Sequence, residues 1–309
     1  MNPPLDQTSP TETTAAGPPR LVVTDLDGTF LSPDGTVSAT NAAAVRAAQR
    51  AGVPVVFATG RPIRWLDVIA GLPGAHPTVI ASNGAVLYDL AERRVLDTLP
   101  IAADLVARAT TEIRAAVPDS SFGFESGDRF GYEQGYLAGR DVPFSDAMFT
   151  GSLAELMAAG PYVKILVRHT DLDSDKLAAA ITAALGGRLT VTHSSAALGL
   201  VEISAPGVSK ASMLERCCHT LGIGAADVAA FGDMPNDVDM LSWVGRPHVV
   251  ANAHPLLLAT AATVVGTNAD SGVGRTILGW FGVGMDEDRG EEDPGYANGV
   301  DETAPRRLA

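Results

Sequence analysis

The chain has 309 residues, is 46% hydrophobic and carries a formal charge of −14, which is enough length and apolar content for two domains with a sizeable core. No basic stripe offsets the acids, so neither nucleic acid nor an anionic membrane surface is an expected partner. No run of about 18 apolar residues predicts a membrane span, and the adjacent pair Cys217 and Cys218 can neither staple a fold nor form a spaced metal-ligand pattern, which fits a reducing cytoplasm.

Residues 1–19 are rich in Thr, Pro and Ala, without a basic start or an apolar stretch; they read as a disordered tail and not a signal peptide. Leu21–Thr24 is a short apolar run, the pattern of a buried strand. A helix over 41–51, a strand over 53–58, a helical region over 65–70 and a strand at Thr78–Ala81 follow, the alternation of a parallel sheet with helical crossovers. The pattern then changes. Strands over 86–88 and 95–99 form a hairpin, followed by a helix over 105–116, strands over 122–125 and 130–133, a helix over 153–159, a strand over 162–167, a helix over 175–185 and a closing hairpin of 189–193 with 198–203. The first pattern returns with a helix over 209–221, a strand over 228–231, a helix over 238–244 and strands over 248–250 and 262–265. The expected fold is a doubly wound α/β domain, residues 20–85 and 206–283, split by an inserted α+β domain, residues 86–205. Residues 284–309 hold eight of the chain's acids in 285–309 and read as a second disordered tail.

Ligands of an open parallel sheet sit beyond the carboxyl ends of its strands, and four polar clusters fall there. Asp25-Leu26-Asp27-Gly28-Thr29 follows the first strand. Two carboxylates one residue apart repel each other and need a proton or a cation to coexist; magnesium, a hard oxygen-seeking ion, answers that. An ionised Asp can attack phosphorus, and a second carboxyl can serve as acid and then base. Thr59-Gly60-Arg61 closes the second strand, offering a hydroxyl and a backbone amide to a phosphate, with Arg61 or Arg64 able to add a charged contact. Lys210 sits at a helix start, where a cation is unfavourable unless an anion lies nearby. Asp233 and Asp237 flank Met234-Pro235-Asn236 at a strand-to-helix turn; both acids can reach one metal, and Asn236 can donate to a phosphate oxygen.

These clusters resemble the four motifs of the haloacid dehalogenase-like superfamily. Asp25-x-Asp27-Gly28-Thr29 is similar to its first motif, Thr59 to the second, Lys210 to the third, and Gly232-Asp233 with Asn236-Asp237 to the fourth. The Ser82-Asn83-Gly84-Ala85 segment, the Val201-Glu202-Ile203 run, Asn252-Ala253 and Asp270-Ser271-Gly272-Val273-Gly274 narrow the resemblance to the Cof-type branch, whose large cap is inserted between the second and third motifs. Met234-Pro235 stands where small residues are common. The resemblance spans residues 20–282. It implies a Rossmann-like core with an inserted cap, and a magnesium-dependent phosphatase acting on a small phosphorylated metabolite: a sugar phosphate, or a phosphorylated cofactor or precursor such as pyridoxal phosphate or a flavin intermediate. It also implies Asp25 as nucleophile and Asp27 as acid and base. Asp25, Asp233 and the backbone carbonyl of Asp27 would hold magnesium with Asp237 in support, and Thr59, Gly60, Arg61, Lys210 and Asn236 would hold the phosphoryl group. Phosphoryl transfer without net hydrolysis, as in a phosphomannomutase-like relative, and a catalytically inactive binding protein are the alternatives. The two cysteines read as core filling on a helix. Of the six histidines, His193 stands out for its place in the insertion, and Tyr132, Tyr136 and Arg140 lie in a Gly-rich stretch that reads equally as a substrate-facing segment or an ordinary surface loop.

Overall fold

The computed structural model describes residues 17–76, 78–138, 146–193 and 199–282. The expected tails, apart from residues 17–19, lie outside the described residues, as do Leu198 and Arg140. In chain order the elements are β1 (Leu21–Thr24), α1 (Ala39–Arg50), β2 (Val55–Ala58), α2 (Asp67–Ala70), β3 (Thr78–Ala81), β4 (Val86–Asp89), β5 (Arg94–Thr98), α3 (Ala103–Ala116), β6 (Ser121–Glu125), β7 (Phe130–Tyr132), β8 (Met148–Thr150), α4 (Leu153–Ala158), β9 (Lys164–Arg168), α5 (Ser174–Leu185), β10 (Thr190–Thr192), β11 (Leu200–Ser204), α6 (Lys210–Leu221), β12 (Val228–Gly232), α7 (Val238–Trp243), β13 (Arg246–Val250), α8 (Pro255–Leu258), β14 (Thr263–Val265) and α9 (Gly272–Phe281).

The larger sheet runs β14-β13-β12-β1-β2-β3-β4-β5. Its pairs are parallel from β14 to β3, and β4 and β5 add antiparallel strands at one edge. β1, β2 and β12 are buried along their whole length, as strands covered on both faces are. The chain winds outward from β1 to β3 on one side and from β12 to β14 on the other, so the winding direction reverses between β1 and β12. That reversal opens a crevice at the strands' carboxyl ends. Thr24 and Phe231 are in register across it, which sets Asp25 beside Gly232-Asp233. This is the Rossmann-like α/β core expected from the sequence.

The second sheet lies within residues 121–204 and runs β10-β11-β9-β6-β7-β8, antiparallel except between β7 and β8. Alternation along its strands separates two faces. Phe122, Phe124, Ile165, Val167, Val201 and Ile203 are buried in one apolar cluster with Ile113 of α3 and Ile181 of α5. The intervening Glu125, Lys164 and Glu202 are also buried, and each meets a group on a loop of the larger sheet.

The hairpin expected to open the insertion belongs elsewhere. β4 pairs with β3 and β5 with β4, so residues 86–98 extend the larger sheet, and the second sheet begins only after α3. The hairpin's alternation predicts strands but not the sheet they join, which is decided by the turn Ser82–Gly84 folding β4 back beside β3. α9 is a helix the sequence reading does not assign: Val273, Ile277 and Leu278 lie on one buried face, but its first turn holds two glycines; Gly274 is needed there, since a Cβ would meet Asn41 Oδ1 of α1 at 2.4 Å. Cys218 is buried and Cys217 packs against the core. Burial pushes both thiols up, Cys218 to about 11, which fits their reading as core filling. Among the described residues no helix is long and apolar enough to cross a membrane.

Candidate active site

Asp25 leaves β1 with extended backbone, and its amide donates to the Phe231 carbonyl at 3.0 Å. The chain then tightens into a turn closed by Leu31 N donating to Leu26 O at 2.8 Å. Gly28 sits in that turn at φ +77, and a Cβ there would lie 2.3 Å from Asp233 Oδ2. Glycine is required twice over: the left-handed backbone disfavours a side chain, and the Asp233 carboxylate fills the space. Thr29 donates from Oγ1 to Asp233 Oδ1 at 2.7 Å, and Asn252 Nδ2 donates to Gly28 O at 2.8 Å. The first motif is thus strapped to the loops after β12 and β13.

Lys210, fully buried at the start of α6, donates to Asp25 Oδ1 at 2.5 Å and to Asp237 Oδ1 at 2.7 Å. The anions that a cation at a helix start calls for are therefore these two carboxylates. Asp237 Oδ2 accepts from the amides of Asp233 and Met234 at 3.0 and 3.1 Å, which folds the fourth-motif turn around its own carboxylate. Proline at the first position of this turn leaves no amide unpaired.

Asp25, Asp233 and Asp237 are all buried, and each offers an oxygen such that all three lie within 4.8 Å of one another. Two like charges at that separation repel by roughly 3 kcal/mol at an effective dielectric near 20. One ammonium, Lys210, answers three carboxylates. Burial is the largest influence on Asp25, Asp233 and Lys210. It pushes Asp25 well up, against the pull of Lys210 and with the push of Asp237, Asp233 and Asp27. It raises Asp233 to about 7, with Asp237 adding and the Thr29 hydroxyl and Lys210 opposing. Burial alone would lower the Lys210 ammonium, but Asp237 and Asp25 outweigh it and hold it above the ordinary lysine range. With all three ionised, these hard oxygen donors carry two negative charges beyond Lys210, and they fit a divalent cation such as magnesium.

Asp27 is separate from this cluster. Its side chain is 54% exposed and is gripped by Arg61, Nη2 to Oδ1 at 2.5 Å and Nε to Oδ2 at 2.6 Å. Arg61 also donates from Nη1 to Trp65 O at 3.1 Å. The sequence placed Arg61 on phosphate; the structure spends its guanidinium on Asp27 and the Trp65 carbonyl. Thr59 is buried and its hydroxyl accepts from Arg61 N at 3.0 Å, which fixes the second-motif loop.

Asn236 donates from Nδ2 to Asn83 Oδ1 at 3.0 Å, and Asn83 donates from Nδ2 to Glu202 Oε2 at 2.6 Å. Lys164 donates to Glu202 Oε1 at 3.1 Å and to Gly60 O at 2.8 Å. Arg64 pairs with Glu125, and its guanidinium lies 5.3 Å from the Phe130 ring. Thr29, Asn83, Lys164 and Glu202 join the site network without a role that the sequence assigns them. Glu202 carried a signal, being a lone acid inside the apolar run of β11. His193 does not join the carboxylate cluster; it meets Asp175 at 2.9 Å, and Asp175 in turn reaches His254 at 3.5 Å. Tyr136 packs with Phe130 and Met148 in a small apolar cluster, and Tyr132 packs against it.

A family model described as haloacid dehalogenase-like hydrolase matches residues 22–277. The chain belongs to that family. It is 28% identical over 274 residues to the HMP-PP phosphatase of Enterobacter sp. (strain 638), covering 85% of this chain and 96% of that one. It is 26% identical over 267 residues to the 5-amino-6-(5-phospho-D-ribitylamino)uracil phosphatase YcsE of Bacillus subtilis (strain 168), covering 84% and 95%. A solved haloacid dehalogenase subclass IIB sugar phosphatase shares the fold with a TM-score of 0.71 at 18% identity, over 85% of this chain and 99% of that one. The Cof-type resemblance read from the motifs agrees with that likeness of fold.

Proposed function

We propose that this chain is a magnesium-dependent phosphatase that hydrolyses small phosphomonoesters through an aspartyl-phosphate on Asp25. The observation that carries the proposal is the buried set of Asp25, Asp233 and Asp237 answered by a single ammonium. A site with that charge imbalance is built to receive a divalent cation together with a ligand, and phosphoryl transfer depends on positioning and charge neutralisation of this kind. Asp25 and Asp233 would hold the ion, with the Asp27 backbone carbonyl and with Asp237 in support. When bound, the cation screens the negative charge that phosphate brings and draws charge from the phosphoryl oxygens.

Asp25 attacks phosphorus as the bond to the leaving oxygen breaks. Asp27 takes up a proton from solvent as substrate binds, which frees one of its oxygens while Arg61 still holds the other, and gives that proton to the leaving oxygen. Asp27 then takes a proton from water, the water attacks the phosphorus of the aspartyl-phosphate, and inorganic phosphate leaves with Asp25 restored. Lys210 balances Asp25 throughout. Thr59, the Gly60 amide and Asn236 hold the phosphoryl oxygens. The second sheet with α3 to α5 acts as the cap that covers the site and selects the leaving group. The names of the two phosphatase relatives support small phosphorylated cofactor precursors as substrates.

The test is phosphate release by purified protein from a panel of phosphorylated sugars, nucleotides and cofactor precursors, with magnesium and with EDTA, beside Asp25→Asn. One preferred substrate, loss of activity in EDTA restored by magnesium, and a silent Asp25→Asn variant are expected. Activity that persists in Asp25→Asn sinks the nucleophile assignment, and full activity in EDTA sinks the metal.

A further inference from the structure

Resting on the reading of Asn236 as a phosphate-binding group, we infer that Glu202, a residue of the cap sheet, is a positioning residue that sets the orientation of the Asn236 amide through Asn83. A carboxylate accepts hydrogen bonds and donates none, whereas an Asn side chain has one donating and one accepting end. Glu202 is buried, and Lys164 occupies its Oε1. Its Oε2, 2.6 Å from Asn83 Nδ2, therefore requires the NH2 end of Asn83. That leaves Asn83 Oδ1 facing Asn236, and an oxygen there requires the NH2 end of Asn236, 3.0 Å away. An amide nitrogen carries two hydrogens, so one goes to Asn83 and the second remains for a phosphoryl oxygen. In the opposite orientation Asn236 would turn its carbonyl toward an anion. The chain of constraints ends in a carboxylate because only an acceptor without a donor removes the ambiguity.

The backbone supports the relay. Asn83 adopts φ +57, a left-handed conformation that Asn tolerates better than most residues. Its amide donates to Thr59 O at 2.9 Å, and Ser82 N donates to Arg61 O at 2.9 Å, so the Asn83 turn is fixed to the second-motif loop. Lys164 ties the same acid to that loop by donating to Gly60 O at 2.8 Å. Glu202 sits on β11, whose end leads back toward α6 and Lys210. Seating of the cap sheet on the core and readiness of the phosphate site are thereby linked by one continuous set of hydrogen bonds.

The experiment is a double-mutant cycle read as kcat/KM on the preferred substrate and as the inhibition constant of inorganic phosphate, with melting temperature recorded for every variant. Glu202→Gln keeps the size but adds a donor, and Asn83→Gly removes the side chain at a φ that glycine accepts freely. Each should cost about tenfold on both readouts, the loss of one well-oriented hydrogen bond. In the Asn236→Ala background each should add no more than about twofold, because the residue through which they act is gone. Full additivity with Asn236→Ala overturns the relay while leaving Asn236 on phosphate. If Asn236→Ala alone changes neither readout, the assignment of Asn236 fails and the relay with it. Should Glu202→Gln fail to fold, the Asn83→Gly cycle decides by the same criteria.

Discussion

Arg61 holds Asp27 by two parallel hydrogen bonds, Nη2 to Oδ1 at 2.5 Å and Nε to Oδ2 at 2.6 Å, while its remaining arm reaches the Trp65 carbonyl. The planar fork matches a carboxylate in a way an ammonium cannot. This keeps an exposed acid in one place beside the buried cluster, at the mouth of the site. Arg61→Lys and Arg61→Met should each lower kcat by about tenfold to a hundredfold, part of what a positioned acid–base group contributes. Arg61→Lys should recover little, because charge without the fork does not restore position. Steady-state kinetics on both variants checks this; a Lys variant near wild type would show that charge alone suffices.

The carboxylate cluster predicts how stability and metal binding depend on pH. Without metal, burial and Asp237 raise Asp233 to about 7, from an ordinary value of 3.8. Between those values the folded protein keeps a proton that the unfolded chain has lost. Stability from this group is therefore fully present below about pH 4 and is lost as pH rises through about 7. In metal-free protein the Asp233 contribution to melting temperature should fall between pH 5 and pH 7.5 and level off above. Magnesium competes with that proton, so its affinity should rise with pH over the same range, by up to about tenfold per unit below pH 7. Calorimetric melting and magnesium titration at pH 5.5, 6.5 and 7.5 measure both. Comparing each slope with that of Asp233→Asn isolates the group; identical slopes in the two proteins would refute the assignment.

How much of this was legible in the sequence varies with the kind of interaction. Asp25, Thr59 and Asp233 were readable because each directly follows a short apolar run, and a buried strand's end is where chemistry collects in such a sheet. The place of Lys210 at a helix start was readable as a charge in need of a partner, although its two partners are 185 and 27 residues away in sequence. The relay through Asn83 was not readable, since 119 residues separate Asn83 from Glu202 and neither residue's local pattern names the other. The hairpin over 86–98 is legible as strands, but not its place in the larger sheet, because alternation reports exposure and not partnership. Arg61 has phosphate-binding chemistry by its motif position, while its pairing with Asp27 lies 34 residues away and is visible only in the folded loop.

Gly28→Ala probes the closest approach in the site. The backbone there stands at φ +77, and the added methyl would lie 2.3 Å from Asp233 Oδ2. Strain at a left-handed position costs of order 1–3 kcal/mol, and the displaced carboxylate can no longer accept from Thr29. Melting temperature should fall, and magnesium affinity should fall with it, since Asp233 is the group pushed aside. Thr29→Ala removes only the hydroxyl and should show the weaker form of the metal effect with little loss of stability. Equal magnesium affinity in wild type and Gly28→Ala would place the metal away from Asp233.

Arg64 and Glu125 join a loop of the larger sheet to the second sheet. Arg64 is the donor, Glu125 is almost fully buried, and burial pushes its carboxyl up against the pull of Arg64. Arg64 also lies between two rings, 5.1 Å from Trp65 and 5.3 Å from Phe130, so it packs as well as pairs. Removing one partner of a buried pair leaves an unanswered charge, at a cost of about 3–5 kcal/mol, whereas replacing both can approach neutrality. Arg64→Met should therefore destabilise the protein more than Arg64→Met combined with Glu125→Gln. Denaturant unfolding of the two single variants and the double variant supplies the coupling energy. If the second sheet is the cap proposed above, Arg64→Met should also raise KM more than it lowers kcat, because a loosened second sheet holds the leaving group less firmly while Asp25 and Lys210 stay in place. A loss confined to kcat would mean that Arg64 acts on the chemistry through its neighbour Arg61 and not on the seating of the cap.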